Sequence, residues 1–250
     1  MTEAAEFNRK PRDAIRPASV HTPAMTDHPL DRAVWNALTT RRAILAHGTG
    51  KARRIDPTIG LFVAAADTSP ESLDDLAALV RPGETVGMIE TKAWPLPPTL
   101  RATGHFALAQ MVATAASPGP ALPDITPLDE SDAPEMLALA TLTRPGPFFA
   151  ATHRLGGYVG VRRGGALVAM AGTRLSLPGF VEVSAICTHP DHRGQGLGAA
   201  LTRHVTARIL ASGDQPFLTS YVTNTSAIAL YESLGFRTRR EVIFTTIERG

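Results

Sequence analysis

Cysteine occurs once in the 250 residues, at Cys187, so no disulfide can form within the chain. A chain without a disulfide framework suits a reducing compartment. Aromatic residues make up only 6% and the arginines are scattered. That excludes the interleaved stacking platform on which single-stranded nucleic acid is held. The formal charge of +2 is too small to argue for a polyanionic partner. No apolar run approaches the length of a membrane-crossing helix, so no membrane is expected as partner. The first 24 residues hold no apolar run that would make a secretory signal, and Glu3, Glu6 and Asp13 argue against an organelle transit peptide. With Pro11, Pro17 and Pro23 this segment reads as a flexible tail, and Met25 as a candidate natural start. A cytoplasmic globular protein is the expectation. At 44% hydrophobic, the chain can bury one large core or two small ones.

Two familiar phosphate-binding motifs are also missing. The Walker loop needs G-x-x-x-x-G-K-[ST]. The Gly-Lys pair here, Gly50-Lys51, has Leu45 at the first glycine position and Ala52 after the lysine. A Rossmann fingerprint needs G-x-G-x-x-G and an acidic residue about 20 positions on, at the end of a second strand. The chain offers G-x-G-x-G, and Asp214 precedes the next strand instead of ending it.

What is present is Arg193-Gly194-Gln195-Gly196-Leu197-Gly198. Upstream, Val181, Val183, Ala185 and Cys187 alternate with Glu182, Ser184 and Ile186, the period of a strand. Downstream, Leu201, Val205 and Ile209 recur at every fourth residue, one face of a helix that Gly213 ends. Strand, glycine loop and helix N-terminus together make an anion seat. Between them, Cys187, His189, Asp191 and His192 resemble a metal cluster, but C-x-H-x-x-H is no usual zinc spacing and a second pair is missing. No metal is expected. Cys187 falls on the Val183 face, where a buried thiol is inert.

A second block follows. Phe217–Val222 reads as a strand. Asn224–Leu234 reads as a short helix capped by Asn224 or Thr225, with Gly235 at the left-handed terminus and Phe236 as the apolar contact beyond it. Arg193, Gly196 and Gly198 satisfy [QR]-x-x-G-x-[GA], and Leu230-Tyr231-Glu232-Ser233-Leu234-Gly235-Phe236 follows at a fitting distance. The two blocks in this order resemble the paired coenzyme A motifs of the GNAT (GCN5-related N-acetyltransferase) superfamily.

The resemblance implies an α/β fold of the α+β type, with a mixed, mostly antiparallel central sheet and two strands splayed at Thr188 and Val222. It implies acetyl-CoA as cosubstrate and a small-molecule or peptide amine as acceptor, attacked directly in a ternary complex. Ile186, Cys187 and Thr188 would pair with pantetheine. Arg193, Gly194, Gln195, Gly196, Leu197 and Gly198 would hold the pyrophosphate, and Asn224 would belong to the same site. Tyr231 is the candidate proton donor to the leaving thiolate; packed in the core like Ile228 and Leu234, it would be structural instead. Glu182 is the candidate base, through a water; an exposed or ion-paired Glu is the alternative. His153 would serve as base were Glu182 structural. In the segment Thr143–Phe149, Arg144 would meet a carboxylate on the acceptor, while Phe148 and Phe149 suit the core. A homodimer is compatible with all of this.

The rest of the chain gives the order. After the tail (1–28), residues 29–116 alternate helix and strand: a helix over Asp31–Leu45, a strand over Gly60–Ala66, a helix over Glu71–Val80 and a strand over Thr85–Glu90. Phe106–Ala116 reads as helix or strand. Residues 117–121 read as a linker. Residues 122–250 then run strand (Asp124–Leu128), helix (Asp129–Leu142), a hairpin turning at Arg162–Gly165, the glycine-loop block, the second block and a closing strand over Val242–Ile247. The organisation resembles glycine N-acyltransferases, in which a degenerate N-terminal half precedes the working GNAT domain. Two rivals remain: a non-catalytic coenzyme A sensor or scaffold, and a nucleotide enzyme in a Rossmann setting, which the hairpin opposes.

Overall fold

The structure, a computed structural model, describes residues 28–120 and 124–250. Most of the expected tail, with Met25, residue 121 of the expected linker and residues 122–123 lie outside the described residues. Among those described, no helix is long and apolar enough to cross a membrane.

The chain starts with a 3-10 turn at Pro29–Arg32 and helix α1 (Ala33–Thr39), which buries Val34, Ala37 and Leu38. The helix expected to reach Leu45 stops at Thr40, whose φ of −127° and ψ of −106° leave helical space. Leu45 returns to the core on a separate 3-10 turn, and Ile44 is left 93% exposed. Strands β1 (Ala46–His47), β2 (Ala52–Ile55) and β3 (Val63–Ala65) form a small antiparallel sheet. Helix α2 (Pro70–Ala78) begins where Pro70 and the Ser69 side chain, accepting from the Ser72 N–H, satisfy its first turn.

Strands β4 (Thr85–Glu90) and β5 (Leu100–Val112) follow. After β6 (Thr126–Pro127) comes α3 (Ala133–Thr143), entered through a capping box between Asp129 and Asp132. Strands β7 (Val159–Arg163) and β8 (Ala166–Leu177) make the expected hairpin, with Gly164 and Gly165 in its turn. Then come β9 (Phe180–Thr188), α4 (Leu197–Ala211), β10 (Gln215–Tyr221), α5 (Thr225–Ser233) and β11 (Arg237–Arg249).

Eight strands form one sheet in the order β4-β11-β5-β10-β9-β8-β7-β6. Every pairing in it is antiparallel except β9 with β10. This is the mixed, mostly antiparallel α/β fold expected. β4 and β5 thus lie in the same sheet as the later strands, with β5 between β10 and β11. The segment Phe106–Val112, readable as helix or strand, is strand because both of its edges are taken by partners. Gln110, buried there, donates to the Leu30 carbonyl and accepts from Arg239, which satisfies its amide. Helix α4 packs Leu197, Leu201, Val205 and Ile209 into a cluster with Met111, Leu218 and Phe236. The period read from the sequence therefore is the packed face.

The parallel pairing of β9 with β10 is short: Gln215 with Phe180, Pro216 with Val181, and Phe217 with Glu182. Beyond it β10 stays with β5 through Tyr221, and β9 stays with β8 through Thr188. The two strands therefore part and leave a wedge. A bulge in β9 falls at the parting: Ser184 opposes Gly172 and Cys187 opposes Met170, so β9 carries one residue more than β8 across that interval. Ala185 takes up the excess at φ +54°, in the left-handed region that a residue with a Cβ seldom adopts.

Candidate functional site

The wedge opens into a cleft of about 830 Å³. One wall is β9 from Val183 to Thr188, and the other is β10 from Leu218 to Tyr221. Arg193 and Gly198 close one end, and Asn224, Leu230 and Tyr231 stand on the α5 side. The turn from Thr143 to Pro147 borders the cleft, and Phe62, Ile89, Leu108 and Phe244 complete its other end.

The glycine loop is built for backbone contact. Gly194 has φ +75° and Gly196 has φ +74°, and a Cβ on either would meet nothing within 4 Å. Glycine is needed there for conformation, and the space beside it stays open. Gly196 caps α4 without any side-chain hydrogen bond, and the first helical bond runs from the Ala200 N–H to the Gly196 carbonyl. The N–H groups of Leu197, Gly198 and Ala199 therefore have no partner within the helix and carry its positive end. At Gly198 a Cβ would stand 3.7 Å from the Thr188 hydroxyl and 3.8 Å from Ile186. Packing alone would tolerate alanine there, and Gly198 lines the cleft.

The residues singled out in the sequence divide. Ile186, Cys187, Thr188, Arg193, Gly198, Asn224 and Tyr231 line the cleft. Gly194, Gln195 and Gly196 form the loop beside it, while the Leu197 side chain is buried as the first apolar residue of α4. Asn224 caps α5 by accepting from the Ala227 N–H at 3.2 Å. Tyr231 packs edge-on against Phe236, with 6.2 Å between ring centroids, and burial raises its phenol above the usual range. Its ring is thus partly core while the residue also faces the cleft.

Glu182 does not line the cleft; its side chain is fully buried. It accepts from Arg174 Nε at 2.8 Å and Nη2 at 2.7 Å, from the Thr219 hydroxyl at 3.1 Å and from the Leu175 N–H at 3.3 Å. This is the ion-paired alternative, in a bidentate form. Arg174, 16% exposed, is the member of the pair that reaches the cleft, and its guanidinium carbon lies 5.0 Å from the centre of the Phe62 ring. His153 lies outside the cleft, with Nε2 bonded to Glu130 at 2.9 Å. Arg144 borders the cleft, at the left-handed terminus of α3 with φ +50°. Phe148 packs edge-on against Tyr158.

Cys187 is buried, which pushes its thiol up to about 11 from an ordinary value of 9.0. At pH 8 that leaves about 100-fold less thiolate than an ordinary cysteine has. Iodoacetamide at pH 8 is expected to spare the native protein and to label it rapidly in denaturant, read by intact mass. Native labelling at the denatured rate would contradict the burial. Among the described residues, no group of three or more His, Cys, Asp or Glu gathers as metal ligands.

Sequence reasoning missed Arg174 and the apolar end of the cleft. A signal for Arg174 existed: a lone arginine inside the apolar run Ala166–Leu177, facing a lone glutamate in the next strand of the same meander. Phe62, Ile89 and Leu108 carried none, because each reads as an ordinary core residue of its own strand or loop.

Comparison with known proteins accords with this geometry. The model of the FR47-like protein family matches residues 158–245. A solved GNAT-family structure from Novosphingobium aromaticivorans is 43% identical, with a TM-score of 0.84 over 90% of this chain and 100% of that one. The N-alpha-acetyltransferase RimI of Mycobacterium tuberculosis is 41% identical over 83 residues, which are 32% of this chain and 51% of RimI. A mycothiol acetyltransferase from Thermobispora bispora is 46% identical over 56 residues, 22% of this chain and 19% of that enzyme. The chain thus spans about half or less of the length of these two curated relatives. Matched over 90% of its length by the Novosphingobium structure, and carrying both motif blocks around a splayed β9–β10 pair, the chain belongs to the GNAT family.

Proposed function

We propose that the chain is an N-acetyltransferase that moves an acetyl group from acetyl-CoA to a primary amine within a ternary complex. The observation that carries this reading is the wedge between β9 and β10, which ends on the uncapped N-terminus of α4. Pyrophosphate would rest on the N–H groups of the Arg193–Gly198 loop and the first turn of α4. Pantetheine would run along Ile186, Cys187 and Thr188, as an added strand in the gap that β10 leaves.

The amine nitrogen attacks the thioester carbonyl carbon. A C–N bond forms, the carbonyl oxygen takes the negative charge, and collapse breaks the C–S bond. Backbone N–H groups exposed by the bulge at Ala185 would stabilise that oxygen. The surplus amine proton must leave, and the thiolate must gain one; Tyr231 would supply the latter. Glu182 would act through Arg174, which it fixes at the cleft, instead of taking a proton itself. Residues 29–116, read as the degenerate half, contribute Phe62, Ile89 and Leu108 to the same cleft.

Release of free thiol from acetyl-CoA, measured with primary amines present and paired with product mass, tests the reading. Amine-dependent thiol release, with the product amine heavier by one acetyl group in place of a hydrogen, is the expected result. Acetyl-CoA binding without transfer across a broad amine panel would favour the sensor reading instead.

A further inference from the structure

The charge in the cleft is one-sided. Among the described residues, the charged side chains that line it are Arg144, Arg174 and Arg193. The other titratable groups on its walls are Cys187, Tyr221 and Tyr231. The Glu182 carboxylate, next in sequence to the lining residue Val183, is enclosed behind Arg174 and spent on four hydrogen bonds. With Arg174 paired to Glu182 and Arg193 assigned to the pyrophosphate, an ammonium entering this cleft finds neither a carboxylate to pair with nor a carboxylate or imidazole to take its proton.

The end away from the glycine loop is apolar. Phe62 and Phe244 meet edge-on with centroids 6.5 Å apart, and Ile89 and Leu108 lie beside them. At the rim, Phe106 and Tyr221 stack edge-on at 6.0 Å and remain 42% and 44% exposed. Into this apolar end Arg174 brings one polar group. Its pairing uses Nε and Nη2, which leaves Nη1 outside the pair.

We propose that the acceptor is a weakly basic primary amine bearing an apolar or aromatic group, bound against the wall that Phe62, Ile89 and Leu108 add to the cleft, with Arg174 donating to an oxygen on it. The proposal rests on the acetyl-transfer reading and names the acceptor of that site. An amine flanked by a carbonyl, with an ordinary value near that of a chain terminus, about 7.7–8.0, is in part neutral at pH 7. A lysine side chain, at about 10.4, is roughly 300-fold poorer in the neutral form that attacks. A site whose walls offer neither a carboxylate nor an imidazole as base selects for the first kind. Phe62, Ile89 and Leu108 come from the N-terminal part of the chain, so that part would set acceptor choice.

The test uses the full chain, acetyl-CoA and three probes: phenylalaninamide, glycinamide and Nα-acetyl-lysine amide. At pH 7, kcat/KM is expected to fall in that order, with a gap of 100-fold or more between the first and the last. For each amine, kcat/KM should rise with pH up to that amine's own pKa. Phe62→Leu should narrow the gap between phenylalaninamide and glycinamide, since glycinamide has no group to place against that wall. Equal or better turnover of the lysine amine would overturn the proposal, as would a pH profile that breaks at one pH whichever amine is used. Acetyl-CoA binding, read in parallel by thermal shift, separates the two levels. Its absence overturns the acetyl-transfer reading, whereas binding with no turnover of phenylalaninamide overturns the acceptor assignment alone.

Discussion

Tyr231→Phe is expected to lower kcat for acetyl transfer by about 10²- to 10⁴-fold, the range for loss of a positioned general acid. The substitution keeps the ring and with it the edge-on contact to Phe236, so the fold and acetyl-CoA binding should survive. What it removes is the hydroxyl of a residue that lines the cleft. Burial raises the phenol, so the group stays protonated across the neutral range and is available to donate. The same shift makes donation uphill, because a thiol leaves at about 8.5 and an ordinary tyrosine already sits near 10. Proton transfer should therefore be partly rate-limiting. Since the acid form is the active one and its loss is moved to higher pH, wild-type kcat should show no alkaline fall below about pH 10. Steady-state kcat across pH 6–10 for both proteins checks this; equal kcat values would remove Tyr231 from the chemistry and leave it as core.

Glu182→Ala is expected to cost about 3–5 kcal/mol of stability, the range for breaking a buried ion pair by removing one member. The carboxylate is fully buried and satisfies Arg174 twice, Thr219 and the Leu175 N–H. Without it Arg174 remains 16% exposed, charged and unpaired against Phe62. Glu182→Gln keeps one acceptor oxygen and should cost less. Removing Arg174 as well should cost less than the two single losses summed, because the second removal relieves the orphaned charge left by the first. Urea denaturation of the two single variants and the double variant measures all three. A loss below about 1 kcal/mol for Glu182→Ala would mean the pair is no structural anchor.

The difference between a carboxylate that lines a cleft and one that anchors an arginine is set by register, which periodicity does not carry. Alternation along Val181–Cys187 correctly gave a strand, yet the bulge at Ala185 breaks strict alternation at the cleft. Local signals did well where the physics is local. Asn224 caps α5, Gly164 and Gly165 turn the hairpin, and Leu201, Val205 and Ile209 form the buried face of α4. They did less well where partners are distant. Apolar spacing predicts a helix continuing to Leu45, whereas the helix ends at Thr39, because spacing alone does not see the 3-10 turn that brings Leu45 back. That β5 would pair with β10 on one edge and β11 on the other depends on residues more than 100 positions away. The apolar end of the cleft is hidden for the same reason: Phe62, Ile89 and Leu108 meet Phe244 only once the sheet has formed.

The Arg193–Gly198 loop and the β9–β10 wedge are expected to bind acetyl-CoA through bare backbone. Thermal unfolding of the wild type and of Gly198→Val, each with and without acetyl-CoA, checks this. Valine has a higher helix propensity than the glycine it replaces, so at the second position of α4 any cost to the unliganded protein comes from fitting its methyls beside Thr188 and Ile186, which the unliganded melting temperature reads directly. In the wild type, ligand at 100 times its dissociation constant should stabilise by about 2.7 kcal/mol. In Gly198→Val, whose branched side chain would occupy the approach to the helix N-terminus, that stabilisation should largely vanish. No ligand-induced shift in the wild type, or an equal shift in both proteins, would contradict the account.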